Sequence, residues 1–96
     1  MTIEARWNGK TIARSDETVV VEGNHYFPRG DVEESLLEPS AKSTFCPWKG
    51  DASYFSVTVD GRTNPDAAWT YSDPKPDAEH IRDRLAFWNG VEVVEV

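Results

Sequence analysis

The sequence predicts a mainly β fold, a small antiparallel barrel or sandwich of about seven or eight short strands with one or two short helical turns. Three observations carry this. Apolar and polar residues alternate over short runs instead of recurring at helical spacing. The core must come from eleven aromatics and ten valines, against three leucines and three isoleucines, and those side chains suit a pleated surface. Asn8-Gly9, Asp60-Gly61 and Asn89-Gly90 each follow a strand-like run, and such pairs supply the positive φ angles of tight hairpin turns. No linker interrupts the 96 residues, so residues 1–96 form a single domain.

Taken in order, Ile3–Trp7 and Lys10–Arg14 alternate around Asn8-Gly9 and read as the first hairpin. Thr18–Glu22 is β-branched enough for a third strand. Gly23-Asn24 turns it into His25-Tyr26-Phe27, which Pro28-Arg29-Gly30 stops. Asp31–Leu37, with Asp31 and Glu34 in capping-box positions, predicts a helix of about two turns ended by Pro39. Glu38–Ser43 then reads as loop. Tyr54–Val59 is the clearest strand, with Tyr54, Ser56 and Thr58 on one face and Phe55, Val57 and Val59 on the other. Asn64-Pro65-Asp66 is turn chemistry before a strand at Ala67–Tyr71, and Asp77 caps a short helical turn reaching Arg84. Leu85–Trp88 and Val91–Val96 flank Asn89-Gly90 as a third hairpin. Trp-Asn-Gly thus occurs twice, at Trp7 and at Trp88, which predicts two similar hairpins near opposite ends of one sheet system.

Charge and cysteine content exclude several classes. A net charge of −7 and no clustered Lys/Arg argue against a nucleic-acid polymer as partner, since such binding needs a basic stripe. No apolar run approaches the ~20 residues of a membrane span, and Met1–Arg6 lacks the apolar stretch of a secretory signal. A lone cysteine forms no internal disulfide, so the expectation is a cytoplasmic protein in a reducing compartment.

Five motifs, in order, carry a resemblance: Arg6-Trp7-Asn8-Gly9, Val21–Pro28, Cys46-Pro47-Trp48-Lys49-Gly50, Asp66-Ala67-Ala68-Trp69 and Phe87–Val91. Over nearly the whole chain the sequence resembles the family catalogued as domain of unknown function 427. The resemblance implies a compact, mostly β fold and a nucleotidyltransferase-like label, but it supplies no set of catalytic residues and no cofactor.

Unusual chemistry concentrates at Thr44–Tyr54. Cys46 is the one thiol, and Lys49 three residues on could lower its pKa, but a small buried residue before Pro47 reads the same way. A metal site needs more ligands than one Cys, His25, His80 and scattered acids, so none is expected. Lysine nucleophiles of nucleotidyl transfer sit in a Lys-x-Asp-Gly order, whereas here the order is Lys49-Gly50-Asp51-Ala52. Neither glycine-rich phosphate motif is present. The leading expectation is a small anionic ligand in an aromatic-lined pocket. Trp48, Tyr54 and Trp69 would form its walls, with Tyr26 among the aromatics. Lys49 would be the anion anchor, Asp66 the opposing acid or base, and Arg6 or Arg29 the rim. If the chain is an enzyme, Lys49, Asp66 and Cys46 are its candidate catalytic residues. The alternative is an interaction module without chemistry, using an exposed aromatic patch or a sheet edge, which predicts an open surface and an exposed Trp48.

Overall fold

A computed structural model describes residues 1–96. It contains nine strands: β1 Ile3–Trp7, β2 Lys10–Ser15, β3 Val19–Val21, β4 Asn24–Tyr26, β5 Leu37–Cys46, β6 Gly50–Val59, β7 Arg62–Thr70, β8 Leu85–Phe87 and β9 Glu92–Glu95. They form three antiparallel sheets of order β2-β1-β9, β3-β4 and β5-β6-β7-β8. The sheets are not closed into a barrel, and the sandwich form of the expectation describes them. No helix is long and apolar enough to cross a membrane.

The four-stranded sheet is the central layer. One face packs on β2-β1-β9 through Ile3, Ala5, Ile12 and Ala13 against Val57, Val59, Ala67 and Phe87. Phe27, with zero exposure, sits edge-on to Phe87 in this core. Each such fully buried apolar side chain contributes about 1.5–3 kcal/mol. The opposite face is covered at one end only, by Tyr26, Tyr71, Ala78 and Ile81 over Ala52 and Ala86. Phe27 and Leu85 exchange backbone hydrogen bonds of 2.7 and 2.9 Å, which fastens the β3-β4 ribbon beside β8.

Local signals placed most turns. Asn8-Gly9 and Asp60-Gly61 have positive φ and close the β1-β2 and β6-β7 hairpins. The β3-β4 turn falls one residue earlier than expected, at Glu22-Gly23, with Val21 opposite Asn24.

Other expectations need correction. Asp31–Leu37 is not a two-turn helix: the chain makes 3₁₀ turns at Arg29–Asp31 and Glu34–Leu36, without a side-chain cap. Glu38–Ser43 is not a loop but part of β5, whose Leu37–Pro39 pair with Phe55–Val57 of β6 ahead of a register shift before Ser43. Pro39 fits there because β5 is the sheet's edge, where a missing N–H is tolerated. Asn64-Pro65-Asp66 likewise lies inside β7 as a bulge, Asp66 having a φ of 55°. Asp77 caps nothing; Pro76–Ile81 is a 3₁₀ segment with a kink at Ala78.

The second Trp-Asn-Gly is no hairpin. β8 pairs with β7 and β9 with β1, so Asn89-Gly90 is a corner carrying the chain between sheets. Its local φ angles match those at Asn8-Gly9. Hydrogen bonds from Asn64 to the Asn89 carbonyl (2.7 Å) and from Asn89 to the Pro65 carbonyl (3.1 Å) hold the corner against the β7 bulge.

Candidate functional site

Cys46 pairs with Gly50, so Pro47-Trp48-Lys49 is the three-residue turn joining β5 to β6. Gly50 takes φ 109°, a conformation L side chains rarely adopt, and the loop carbonyl of Asp73 lies 3.5 Å from where its Cβ would be. The backbone reversal here depends on glycine.

Lys49 is only 6 % exposed. Its ammonium lies 5.5 Å from the Trp48 ring centroid and 5.4 Å from that of Tyr71, and it donates to the Glu22 carboxylate. Trp48 Nε1 donates to the other oxygen of the same carboxylate at 3.4 Å. Burial is the largest influence on the Lys49 ammonium and disfavours its charge. The Glu22 hydrogen bond, with Tyr26 and Tyr71, outweighs it and holds the group above its usual pKa. Glu22 is pulled below the usual carboxylate value, first by the Lys49 hydrogen bond and then by Trp48. Burial pushes the Tyr71 phenol up. This is a charged, paired lysine at neutral pH, which is the opposite of what an amine nucleophile requires.

From Lys49 a row of aromatics runs across the sheet. Tyr26 and Tyr71 share the second core cluster. Trp69 stands edge-on to Tyr26, at 6.2 Å and 89°, and donates from Nε1 to its hydroxyl at 3.2 Å. Beyond Trp69 the covering layer ends, and Tyr54 and Trp88 flank it at 6.5 and 6.4 Å. Trp88 is 45 % exposed. The Lys42 ammonium lies over this group, 5.3 Å from the Tyr54 centroid and 5.9 Å from that of Trp88.

The predicted residues therefore divide between places. Tyr26 and Lys49 meet at one end with Trp48, which is 38 % exposed and borders an open groove of ≈ 340 Å³ with Pro47, Lys75, Pro76 and Asp77. Tyr54 and Trp69 belong to the other end. Asp66 is not opposite Lys49. It lies beside Ser56, whose hydroxyl accepts its N–H at 3.2 Å, roughly 20 Å along β6 from Lys49. Its carboxylate accepts from Ser40 and its carbonyl from Trp88 Nε1 at 2.7 Å, so it holds the β7 bulge. Arg6 is on the other sheet, ion-paired with Glu4 at 2.7 Å. Arg29 lies over the Phe55 ring and pairs with Glu34. Cys46 is half-buried against the second core cluster. His25 meets the Thr18 hydroxyl at 2.8 Å, and no three His, Cys, Asp or Glu side chains converge as metal ligands would.

Sequence reasoning missed Glu22, Tyr71, Trp88 and Lys42. Glu22 lay inside the Val21–Pro28 motif, and its place just before a glycine at a turn was the available signal. Nothing local marked Lys42.

The fold and these sites define a small antiparallel β-sandwich with a lysine-paired hairpin turn and a half-covered aromatic face. The chain belongs to the family described as Domain of unknown function (DUF427), whose model matches residues 1–96, somewhat beyond the Arg6–Val91 span of the motifs. No curated protein matches it.

Proposed function

We propose that the protein is a recognition domain without catalytic chemistry of its own, binding through the open end of its aromatic face. The observation that carries this is Trp88, an indole held by a 2.7 Å hydrogen bond to the β7 bulge while 45 % of the residue is left to solvent. Large aromatics fixed in place at a surface are what a binding face uses, because ordering them has little further entropic cost. Trp48, also partly exposed, agrees with the interaction-module expectation. The nucleotidyltransferase-like label is harder to support. Covalent nucleotidyl transfer asks for an activated amine, whereas Lys49 is paired with Glu22, and its companions Asp66 and Cys46 do not both adjoin it. A cytoplasmic place, from the lone cysteine and acidic balance, belongs to this proposal.

One observation favours a second reading, the small anionic ligand expected from sequence. The Glu22 carboxylate occupies two donors, Lys49 Nζ and Trp48 Nε1, from an exposed hairpin turn. An external carboxylate or phosphate displacing it would meet the same pair.

A thermal-shift screen against metabolites and nucleotides separates the readings, since a ligand raises the melting point by mass action. The recognition-face reading expects shifts lost in Trp88→Ala and kept in Glu22→Gln. Shifts lost in Lys49→Ala and kept in Trp88→Ala overturn it in favour of the anion site. Turnover of any nucleotide overturns the non-catalytic part.

A further inference from the structure

We infer that Tyr54, Trp69 and Trp88 form an aromatic cage for an N-methylated ammonium group, and that Lys42 is its internal occupant. The inference rests on the recognition-face reading and names its ligand class. The two flanking rings do not stack flat on Trp69. Tyr54 is tilted from it by 38° and Trp88 by 85°, so the three planes set up an open corner on the surface. A cation already lies over that corner, with the Lys42 ammonium within about 6 Å of two ring centroids, the range in which the ring quadrupole attracts it.

The polar edges of the rings are tied elsewhere. Trp88 Nε1 donates to the Asp66 carbonyl, Trp69 Nε1 to the Tyr26 hydroxyl, and the Tyr54 hydroxyl meets that of Thr44 at 3.1 Å. What remains for a ligand is π surface in a fixed orientation, which selects a cation with apolar substituents over an anion or hydrogen-bonding group. The protein's net charge of −7 acts in the same direction.

Lys42 is a replaceable occupant. It is exposed, and none of the six salt bridges involves it. It projects from the irregular stretch of the edge strand between Pro39 and Ser43. A primary ammonium keeps strong hydration and loses rotamer freedom when held over rings. A methylated ammonium is wider and more weakly hydrated, so it can touch all three rings at less desolvation cost. Such a group could come from a free choline-like molecule or from a trimethyl-lysine side chain.

The test follows the tryptophan indole N–H resonances of the whole protein during titration at constant ionic strength. The probes are tetramethylammonium, choline, a short trimethyl-lysine peptide, sodium chloride, and the uncharged carbon isostere of choline. Saturable shifts of the Trp69 and Trp88 indoles with tetramethylammonium are expected, absent with sodium. Lys42→Ala tightens binding at least threefold, and Trp88→Ala abolishes it. Tighter binding of choline or of the peptide identifies the source. No saturable shift in either wild type or Lys42→Ala overturns the cage, as does an equal response to sodium. Weaker binding by Lys42→Ala overturns its role as occupant. Equal binding of the uncharged isostere overturns the ammonium preference and leaves the recognition face standing. Failure of every probe together with unchanged thermal shifts in Trp88→Ala removes both.

Discussion

Lys49 and Lys42 lie at opposite ends of the same aromatic row, and each sets its ammonium between 5.3 and 5.9 Å from two ring centroids. Their ring geometry is almost the same, but their surroundings differ. Lys49 is buried under the β3-β4 turn with Glu22 as counter-ion, while Lys42 stands in solvent on an edge strand without one. A cation over rings is worth about 0.5–1 kcal/mol when exposed and ~2 or more when desolvated. The contrast teaches that ring contacts alone do not assign a role. Burial and the counter-ion make one lysine a fastening between the β5-β6 turn and the β3-β4 ribbon, and their absence leaves the other exchangeable.

The largest effect expected is from Lys49→Ala, which removes a buried stem and both ring contacts. It should cost about 3–4 kcal/mol, read from urea midpoints, at ~0.8 kcal/mol for each of the buried methylenes beyond Cβ plus the cation–π loss. A cost no greater than that of Lys42→Ala would erase the distinction. Next is Tyr26→Phe, which removes the acceptor of the Trp69 indole N–H in the middle of the row. A loss of about 1 kcal/mol is expected, with a displaced Trp69 indole resonance, because a partly buried donor is left unsatisfied. An unmoved resonance would show that the bond does not hold Trp69 in place.

Glu22→Gln sharpens the comparison through pH. The Glu22 pKa is depressed, so its contribution is complete above the ordinary carboxylate value of 4.5 and disappears as pH falls through the lower folded value. The variant should be less stable than wild type at neutral pH and converge with it in acid. The raised Lys49 pKa acts at the other end, its contribution present below 10.5 and lost only in strong alkali. A wild-type advantage that persists unchanged in acid would detach the pair from stability. Smallest of all is Lys42→Ala, expected to move the unfolding midpoint by less than about 0.5 kcal/mol, as exposed substitutions do.

How much was legible differs between fold and site. Alternation at Ile3–Trp7 and Tyr54–Val59 and the positive-φ pairs at Asn8-Gly9 and Asp60-Gly61 were readable because pleat and turn are set by neighbours in the chain. Pro39 and Pro65 misled, since each looks like a break and each sits in a strand that tolerates it, one at an edge and one at a bulge. Of the site, the stretch holding Trp48 and Lys49 was found, while the expected opposition of Lys49 and Asp66 does not occur. Carboxylate and ammonium attract at a distance fixed by the fold, and Asp66 beside Ser56 lies well along β6 from Lys49.

By itself, the sequence determined a mainly β domain and most of its turn positions, and it marked Cys46–Gly50 as the chemically unusual stretch; the pairing of β5 with β6 made that stretch a hairpin turn. The fold class and the turns follow from short-range backbone sterics and from the apolar pattern. Tertiary structure decided that Asn89-Gly90, with the same local conformation as Asn8-Gly9, would be a corner, because Asn64 and Pro65 hydrogen-bond it there. It also decided that Glu22, 27 residues away, would neutralise Lys49 while Lys42 received no carboxylate. Those choices depend on which surfaces are buried against one another, and nothing local in the chain encodes them.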